Sequence, residues 1–166
     1  MENLVADTTG LIHLIASTSA LISGSLVLLM KKGTRTHIRI GYVYVTSMVV
    51  LIATAFMIYR LFNGWGMFHY TTIVSLLTLA FGMLSIWTKK PAHKWQELHF
   101  SFMYWSVIGL YAAFAAELFT RIPDAPFMGM VGISSLGIIV AGGIGFKINK
   151  AKWAGIFRTG GHQGPS

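Results

Sequence analysis

Residues 8–30 read TTGLIHLIASTSALISGSLVLLM, a run of 23 residues without Asp, Glu, Lys or Arg. A helix rises about 1.5 Å per residue, so a run of this length crosses a hydrocarbon core of ~30 Å. Acidic residues precede the run, and it ends at Lys31 and Lys32 rather than at a small-residue cleavage site. These features predict a retained membrane-spanning helix rather than a signal peptide.

Further charge-free runs of similar length follow along the chain. They cover residues 40–59, 61–88, 98–116 and 125–146. The 166-residue chain is also 54% hydrophobic and only 11% charged, which is typical of a membrane protein. The sequence therefore predicts an all-α integral membrane helical bundle of five transmembrane helices, with one domain at 1–158 and a disordered tail at 159–166.

The net charge of +8 is distributed unevenly between the two predicted sides of the membrane. Of 13 Lys and Arg residues, Arg60 and Arg121 fall on one side, and the other eleven fall on the opposite side. Those eleven are Lys31, Lys32, Arg35, Arg39, Lys89, Lys90, Lys94, Lys147, Lys150, Lys152 and Arg158. This asymmetry predicts an outer N-terminus and a cytoplasmic C-terminus. The excess charge thus indicates orientation and attraction to anionic headgroups of the lipid bilayer, not nucleic-acid binding.

Several kinds of chemistry are excluded by composition. The chain has no cysteine, which removes disulfides, thiolate metal sites and cysteine nucleophiles. It also lacks a Ser-His-Asp or His-Glu-x-x-His constellation, so a hydrolase of the soluble type is not expected. Redox chemistry would need a cofactor held by other ligands.

The first two helices and the next two show an internal repeat. The first hairpin has His13, Ser19 and Leu21, then His37 and Tyr42; the second has His69, Ser75 and Leu77, then His99 and Tyr104. The offsets from His to Ser, Ser to Leu and His to Tyr are identical in the two hairpins. Because helices 1 and 3 run in the same direction, the pattern predicts a parallel repeat.

The repeat predicts two histidine pairs at different depths, His13 with His69 and His37 with His99. Ionisable residues are costly in lipid and usually face a bundle interior, and neutral imidazole is a good axial ligand for haem iron. Each pair is therefore a candidate site for one haem b, with Zn or Cu as the alternative cofactor. Single interfacial histidines also occur with no ligand at all, which is the alternative for His37 and His99.

Charged residues at the predicted outer ends of helices 2 and 4 complete the candidate site. Glu117 and Arg121 form an i, i+4 pair, and Arg60 lies at the matching place on helix 2. They are interpreted either as interfacial ion-pairing and snorkelling groups or as functional ones. In the functional reading Arg60 and Arg121 bind haem propionates or an anionic substrate, and Glu117 acts as a metal ligand or in a proton path.

Helix 5 lies outside the repeat and is rich in glycine. These glycines predict close packing on the bundle or on a second copy of the chain. They are Gly129, Gly132, Gly137, Gly142, Gly143 and Gly145. Residues 147–158 are expected to form a short amphipathic segment on the cytoplasmic leaflet.

The chain resembles a bacterial family of small membrane proteins, domain of unknown function 2306, over about residues 10–125. The residues that carry the resemblance are Lys32-Gly33, His37, Gly41-Tyr42, Ser47-Met48, His69, Ser75 to Leu79, His99, Gly109-Leu110, Ala112-Ala113, Glu117 and Arg121. Ile38 stands between His37 and Arg39 where the family pattern places Arg directly after the His. The resemblance implies a multi-pass helical bundle in the bacterial cytoplasmic (inner) membrane, with functional His, Glu and Arg positions and no particular activity. The layout of the His pairs also resembles that of two-haem transmembrane b-type cytochromes.

Three functions remain open from the sequence. The first is a small electron carrier that binds two b-type haems and works with a redox partner. The second is a metal or proton transport protein that uses the same His and Glu sites. The third is a non-catalytic scaffold or assembly subunit of a larger membrane complex, for which the Gly-rich helix 5 is the motivation.

Overall fold

The computed structural model of the protein consists of five long α-helices. It describes residues 8–58, 65–119 and 126–160, and no strand occurs among them. The helices are α1 (Thr8–Leu29), α2 (Arg35–Met57), α3 (Met67–Thr88), α4 (Trp95–Phe119) and α5 (Phe127–Gly160). Each contains a stretch long and apolar enough to cross a membrane. The predicted all-α architecture with five membrane-spanning helices is confirmed.

The chain forms two compact units, residues 1–79 and 80–166. Helix α3 contributes its first half to the first unit and its second half to the second. The single domain expected at 1–158 and the membrane orientation stay predictions.

In the first unit, α1 and α2 pack as a hairpin joined by polar contacts. Ser19 on α1 and Ser47 on α2 share a hydrogen bond of 2.8 Å between their hydroxyl oxygens. The small residues Ala16, Ala20 and Gly24 of α1 are buried. Small side chains allow membrane helices to approach closely, so these positions favour tight packing.

The turn between α1 and α2 is fixed by three consecutive residues. Nζ of Lys32 donates to the carbonyl oxygens of Val27 (2.6 Å) and Leu28 (2.7 Å), which lie in the last turn of α1. Gly33 has φ +77°, a left-handed conformation that glycine adopts without steric cost. Thr34 then caps α2, its hydroxyl accepting the backbone N–H of His37 at 3.1 Å.

In the second unit, glycines bring the helices together. A Cβ on Gly82 of α3 would lie 2.8 Å from Sδ of Met103 on α4, and a Cβ on Gly142 of α5 would lie 2.7 Å from Cγ2 of Ile108. The hydroxyl of Tyr104 also donates to the carbonyl oxygen of Gly142 (2.9 Å). A Cβ at position 142 would clash with the β-branched Ile108, whereas a Cβ at position 82 would need the flexible Met103 side chain to shift.

The remaining glycines of α5 divide by environment. A Cβ on Gly145 or Gly143 would contact Tyr104 or Trp105 of α4 at 3.1 and 3.7 Å, whereas one on Gly132 or Gly137 would meet nothing within 4 Å. The predicted packing of α5 on the rest of the chain is thus observed at Gly142, Gly143 and Gly145. Packing on a second copy stays a prediction.

Helix α5 is longer than the sequence predicts. It continues without interruption from Phe127 to Gly160, 34 residues, instead of ending near residue 146 and restarting as a separate amphipathic segment. Residues 147–160 contain no proline, so nothing in them forces a break. In its C-terminal half α5 joins α4 through an aromatic cluster made of Phe100, Tyr104, Trp105, Phe146 and Trp153, with ring centroids 4.6 to 6.2 Å apart. Of the predicted tail, residues 161–166 lie outside the described residues.

Candidate functional site

His13 is held on α1 by a hydrogen bond to α2. Its Nδ1 lies 3.0 Å from the hydroxyl oxygen of Thr54, and the Thr54 side chain is buried. The same hydroxyl lies 2.9 Å from the carbonyl oxygen of Val50 and 3.0 Å from that of Leu51, both acceptors. A hydroxyl has a single hydrogen. When that hydrogen is donated to one of these carbonyls, the oxygen accepts from His13 and Nδ1 is the protonated nitrogen.

His99 has the same tautomer for a simpler reason. Its Nδ1 lies 2.8 Å from the carbonyl oxygen of Gly82 on α3. A carbonyl oxygen only accepts hydrogen bonds, so Nδ1 carries the proton. In this state of His13, as in His99, the neutral imidazole has its lone pair on Nε2, the nitrogen with which such a ring binds a metal or a proton.

His69 has the opposite tautomer. The backbone N–H of Gly66 donates to its Nδ1 at 3.1 Å, so in the neutral ring Nδ1 is an acceptor and Nε2 carries the hydrogen. His69 lies at the third helical position of α3, from which a side chain reaches back to the N-terminal backbone as in a capping box. The side chain is 3% exposed and packs near the rings of Trp65 (5.2 Å between centroids) and Phe56 (6.4 Å). In this arrangement His69 caps α3 and does not offer Nε2 to a metal.

His37 lies in the first turn of α2. Its imidazole is half-buried, with Nδ1 buried, and its backbone N–H completes the Thr34 cap. His37 belongs to the first compact unit and His99 to the second. The pairing of these two histidines stays a prediction.

The structure brings His13 and His69 to the same end of α2. His13 bonds to Thr54 and His69 packs near Phe56, and both partners lie in the last turn of that helix. Their joint service as ligands of one group stays a prediction. The described residues contain no group of three or more His, Asp or Glu side chains arranged to hold a metal ion.

The charged residues of the predicted site can be placed in part. Glu117 is half-buried in the last turns of α4. Arg60 and Arg121 lie outside the described residues, so their predicted roles toward haem propionates or an anionic substrate stay predictions.

The sequence did not predict three residues that hydrogen-bond to the helices of the candidate site. Ser47 bonds to Ser19, Thr54 bonds to His13, and Gly82 bonds to His99. The predicted repeat pairs His37 with His99, 62 positions later, and the same offset pairs Ser47 with Gly109 and Thr54 with Ala116. A search for repeated positions therefore passes over both hydroxyls. The signal that would reveal them is a polar residue on the α2 face that packs on α1, which requires the register of the two helices.

His13, His99 and His69 differ in how well they fit as ligands of a metal or of haem iron. A histidine ligand generally donates its other ring N–H to an oxygen, which fixes the ring and raises its basicity. His13 with Thr54 and His99 with Gly82 have this arrangement. His69 does not fit as an Nε2 ligand unless the bond from Gly66 is released.

Comparison with known proteins gives a family and no activity. The model of a family described as predicted membrane protein (DUF2306) matches residues 10–149. No curated protein and no solved structure matches the chain.

Proposed function

We propose that the chain, which belongs to the DUF2306 family of predicted membrane proteins, is a small multi-pass electron carrier. It would bind b-type haem through its intramembrane histidines. The proposal is supported by two imidazoles that are each oriented by a hydrogen bond from Nδ1: His13 bonds to Thr54, and His99 bonds to Gly82. Both rings donate from Nδ1 and keep the lone pair on Nε2, the state that axial ligation needs.

The chain's own contribution would be ligand orientation and exclusion of water. The Thr54 hydroxyl and the Gly82 carbonyl fix the two rings, and the apolar helices surround them with a medium of low dielectric constant. Haem, when bound, would supply an iron centre that accepts and releases one electron. His69 and His37 remain the proposed second ligands, and for His69 this role requires loss of the α3 cap.

The test is the absorption spectrum of the detergent-purified chain after expression with ample haem. A Soret band is expected, and it should be lost or shifted in His13→Ala and in His99→Ala. His93→Ala is the matched control because His93 is an exposed histidine in the turn between α3 and α4. A colourless protein that takes up no added haem would refute the proposal.

A second function is supported by the polar contacts between α1 and α2. Two hydroxyl-containing links, His13 with Thr54 and Ser19 with Ser47, lie along the interface of one pair of membrane-spanning helices. Polar groups inside a membrane often line the path of an ion or a proton. In this alternative the chain transports a metal ion or protons, with Glu117 as a proposed relay group.

The transport alternative makes different measurements decisive. It predicts a colourless protein that contains Zn or Cu by elemental analysis, or pH-dependent flux in liposomes that is lost in His13→Ala. Ser17→Ala is a suitable control because the Ser17 hydroxyl bonds to the carbonyl of Leu14 within its own helix. Flux that survives in His13→Ala would refute transport along the α1–α2 interface.

A further inference from the structure

A surface groove runs along the α1–α2 hairpin. It has a volume of about 660 Å³ and is lined mainly by apolar side chains, among them Leu14, Ile22 and Leu26 of α1 and Ile40 and Val43 of α2. From Leu14 to Leu26 the groove follows twelve residues of helix, or ~18 Å. That length slightly exceeds one leaflet of a hydrocarbon core of ~30 Å. The groove therefore has the length and polarity that suit one lipid acyl chain.

Three exposed cations lie along the chain between the groove-lining residues Leu26 of α1 and Ile40 of α2. Lys31, Arg35 and Arg39 are exposed, and Arg39 directly precedes Ile40 and lies one helical turn from Val43, both of which line the groove. Arg35 and Arg39 share one face of α2 because they are four residues apart. Between Asp7 and Glu97 the sequence has no acidic residue, so no neighbouring carboxylate along the hairpin offsets this charge.

Lys32 does not belong to this cationic surface. It is half-buried, and its Nζ is directed back to the carbonyls of Val27 and Leu28. The turn is thus held by Lys32, Gly33 and Thr34, and the flanking cations at 31, 35 and 39 are presented outward. Burial lowers the pKa of the Lys32 ammonium group. The exposed cationic surface consists of Lys31, Arg35 and Arg39.

We propose that the α1–α2 hairpin binds one anionic phospholipid, with the phosphate headgroup on Lys31, Arg35 and Arg39 and an acyl chain in the adjoining groove. Guanidinium groups bind phosphate oxygens through paired N–H donors, which favours arginine at such a site. The positive charge selects an anionic lipid over a zwitterionic one, and the groove selects a lipid over free phosphate. The proposal does not depend on haem or on transport.

The experiment measures lipid binding to the full chain in non-ionic detergent by native mass spectrometry. Dioleoylphosphatidylglycerol is the probe, dioleoylphosphatidylcholine is the competitor of equal chain length, and glycerol 3-phosphate represents the headgroup alone. Retention of one phosphatidylglycerol, with little displacement by the other two, is the expected result.

Two sets of variants separate a built site from general attraction to the membrane surface. Each basic residue near an anionic lipid contributes about fivefold in affinity, so R35Q with R39Q should weaken phosphatidylglycerol binding about twenty-five-fold. K89Q with K90Q removes the same charge from exposed residues of the other turn and should change binding less than about twofold. Equal losses in the two double variants would overturn the proposal.

The groove is tested separately by Thr18→Trp. Thr18 is exposed and lines the groove, and a tryptophan there would fill it without touching the Ser19–Ser47 hydrogen bond. Binding should fall at least about tenfold while the circular dichroism spectrum is unchanged, since the acyl chain loses its apolar contacts. Unchanged binding in Thr18→Trp, or full displacement by glycerol 3-phosphate, would show a phosphate site without a lipid and would overturn the proposal.

Discussion

The hydroxyl oxygen of Thr54 lies 3.0 Å from Nδ1 of His13 and sets the tautomer of that histidine across the α1–α2 interface. The same hydroxyl oxygen lies 2.9 Å from the carbonyl oxygen of Val50 and 3.0 Å from that of Leu51. When its single hydrogen is donated to one of these carbonyls, the oxygen can only accept from His13. The reactive nitrogen of His13 is thereby fixed by a residue on another helix.

Thr54→Val is expected to remove this control while keeping the shape of the side chain. Hydrogen bonds between membrane helices contribute about 1 kcal/mol, so the free energy of unfolding in detergent should fall by roughly that amount. The ¹⁵N chemical shifts of His13 should also lose the Nδ1–H pattern. Thr54→Ser keeps the hydroxyl and should behave like the native protein; equal shifts in native and valine forms would contradict the tautomer assignment.

His69→Gln separates capping from ligation. A glutamine at the third helical position can reach back to the N-terminal backbone N–H, so H69Q should keep most of the stability that the cap provides. His69→Ala should lose about 0.5–2 kcal/mol for the cap, together with the buried contacts to Trp65 and Phe56. Thermal unfolding measures both.

The same variants show whether His69 also binds a cofactor. If His69 serves as an axial ligand, H69Q should lose the absorption band of that haem although the fold is preserved. If the cap is its whole role, H69Q should keep the native spectrum. Trp65 fluorescence provides an independent signal, since its ring lies 5.2 Å from the imidazole.

Gly142→Ala is expected to destabilise the contact between α4 and α5. The new Cβ would lie 2.7 Å from Cγ2 of Ile108, and overpacking of this kind typically costs about 1–3 kcal/mol. Gly137→Ala on the same helix meets nothing within 4 Å and should be neutral or slightly stabilising. Thermal midpoints in one detergent compare the two; equal midpoints would refute the close packing at Gly142.

Lys32 should make stability depend on pH in the alkaline range. Burial lowers its pKa below the usual 10.5, so between the two values the folded chain binds fewer protons than the unfolded chain. The free energy of unfolding should therefore rise as pH increases through that window. Unfolding measured between pH 8 and 10.5 should lose this rise in Lys32→Met and keep it in Lys31→Met, because Lys31 is exposed. A rise that persists in Lys32→Met would assign it to another group.

In a membrane, a charge-free run of about twenty residues has few stable conformations other than a helix. The number and approximate positions of the helices therefore follow from the sequence. The exact ends do not follow from such runs. Helix α2 begins at Arg35, five residues before its charge-free run, because the Thr34 cap and not the last cation starts the helix. Basic side chains such as Arg39 can remain at a membrane surface while their backbone is helical.

The candidate histidines could also be found from the sequence, whereas their chemical states could not. His13, His69 and His99 differ in tautomer because of single atoms on neighbouring segments: the Thr54 hydroxyl, the Gly66 N–H and the Gly82 carbonyl. Which atom meets which ring depends on helix register, and composition does not specify register. Identical spacing in two hairpins therefore produces histidines with different hydrogen-bond roles.

Because α5 is one unbroken helix, a movement at its C-terminal end is coupled to the rest of the helix. From Asn149, where its apolar stretch ends, the helix continues for eleven residues to Gly160, or ~16 Å. Lateral motion at the far end would be transmitted along a stiff rod to Gly142, where the Tyr104 bond and the Ile108 contact hold α4. A reporter joined in helical register after Gly160 would thus follow the tilt of α5 rather than swing on a flexible tether.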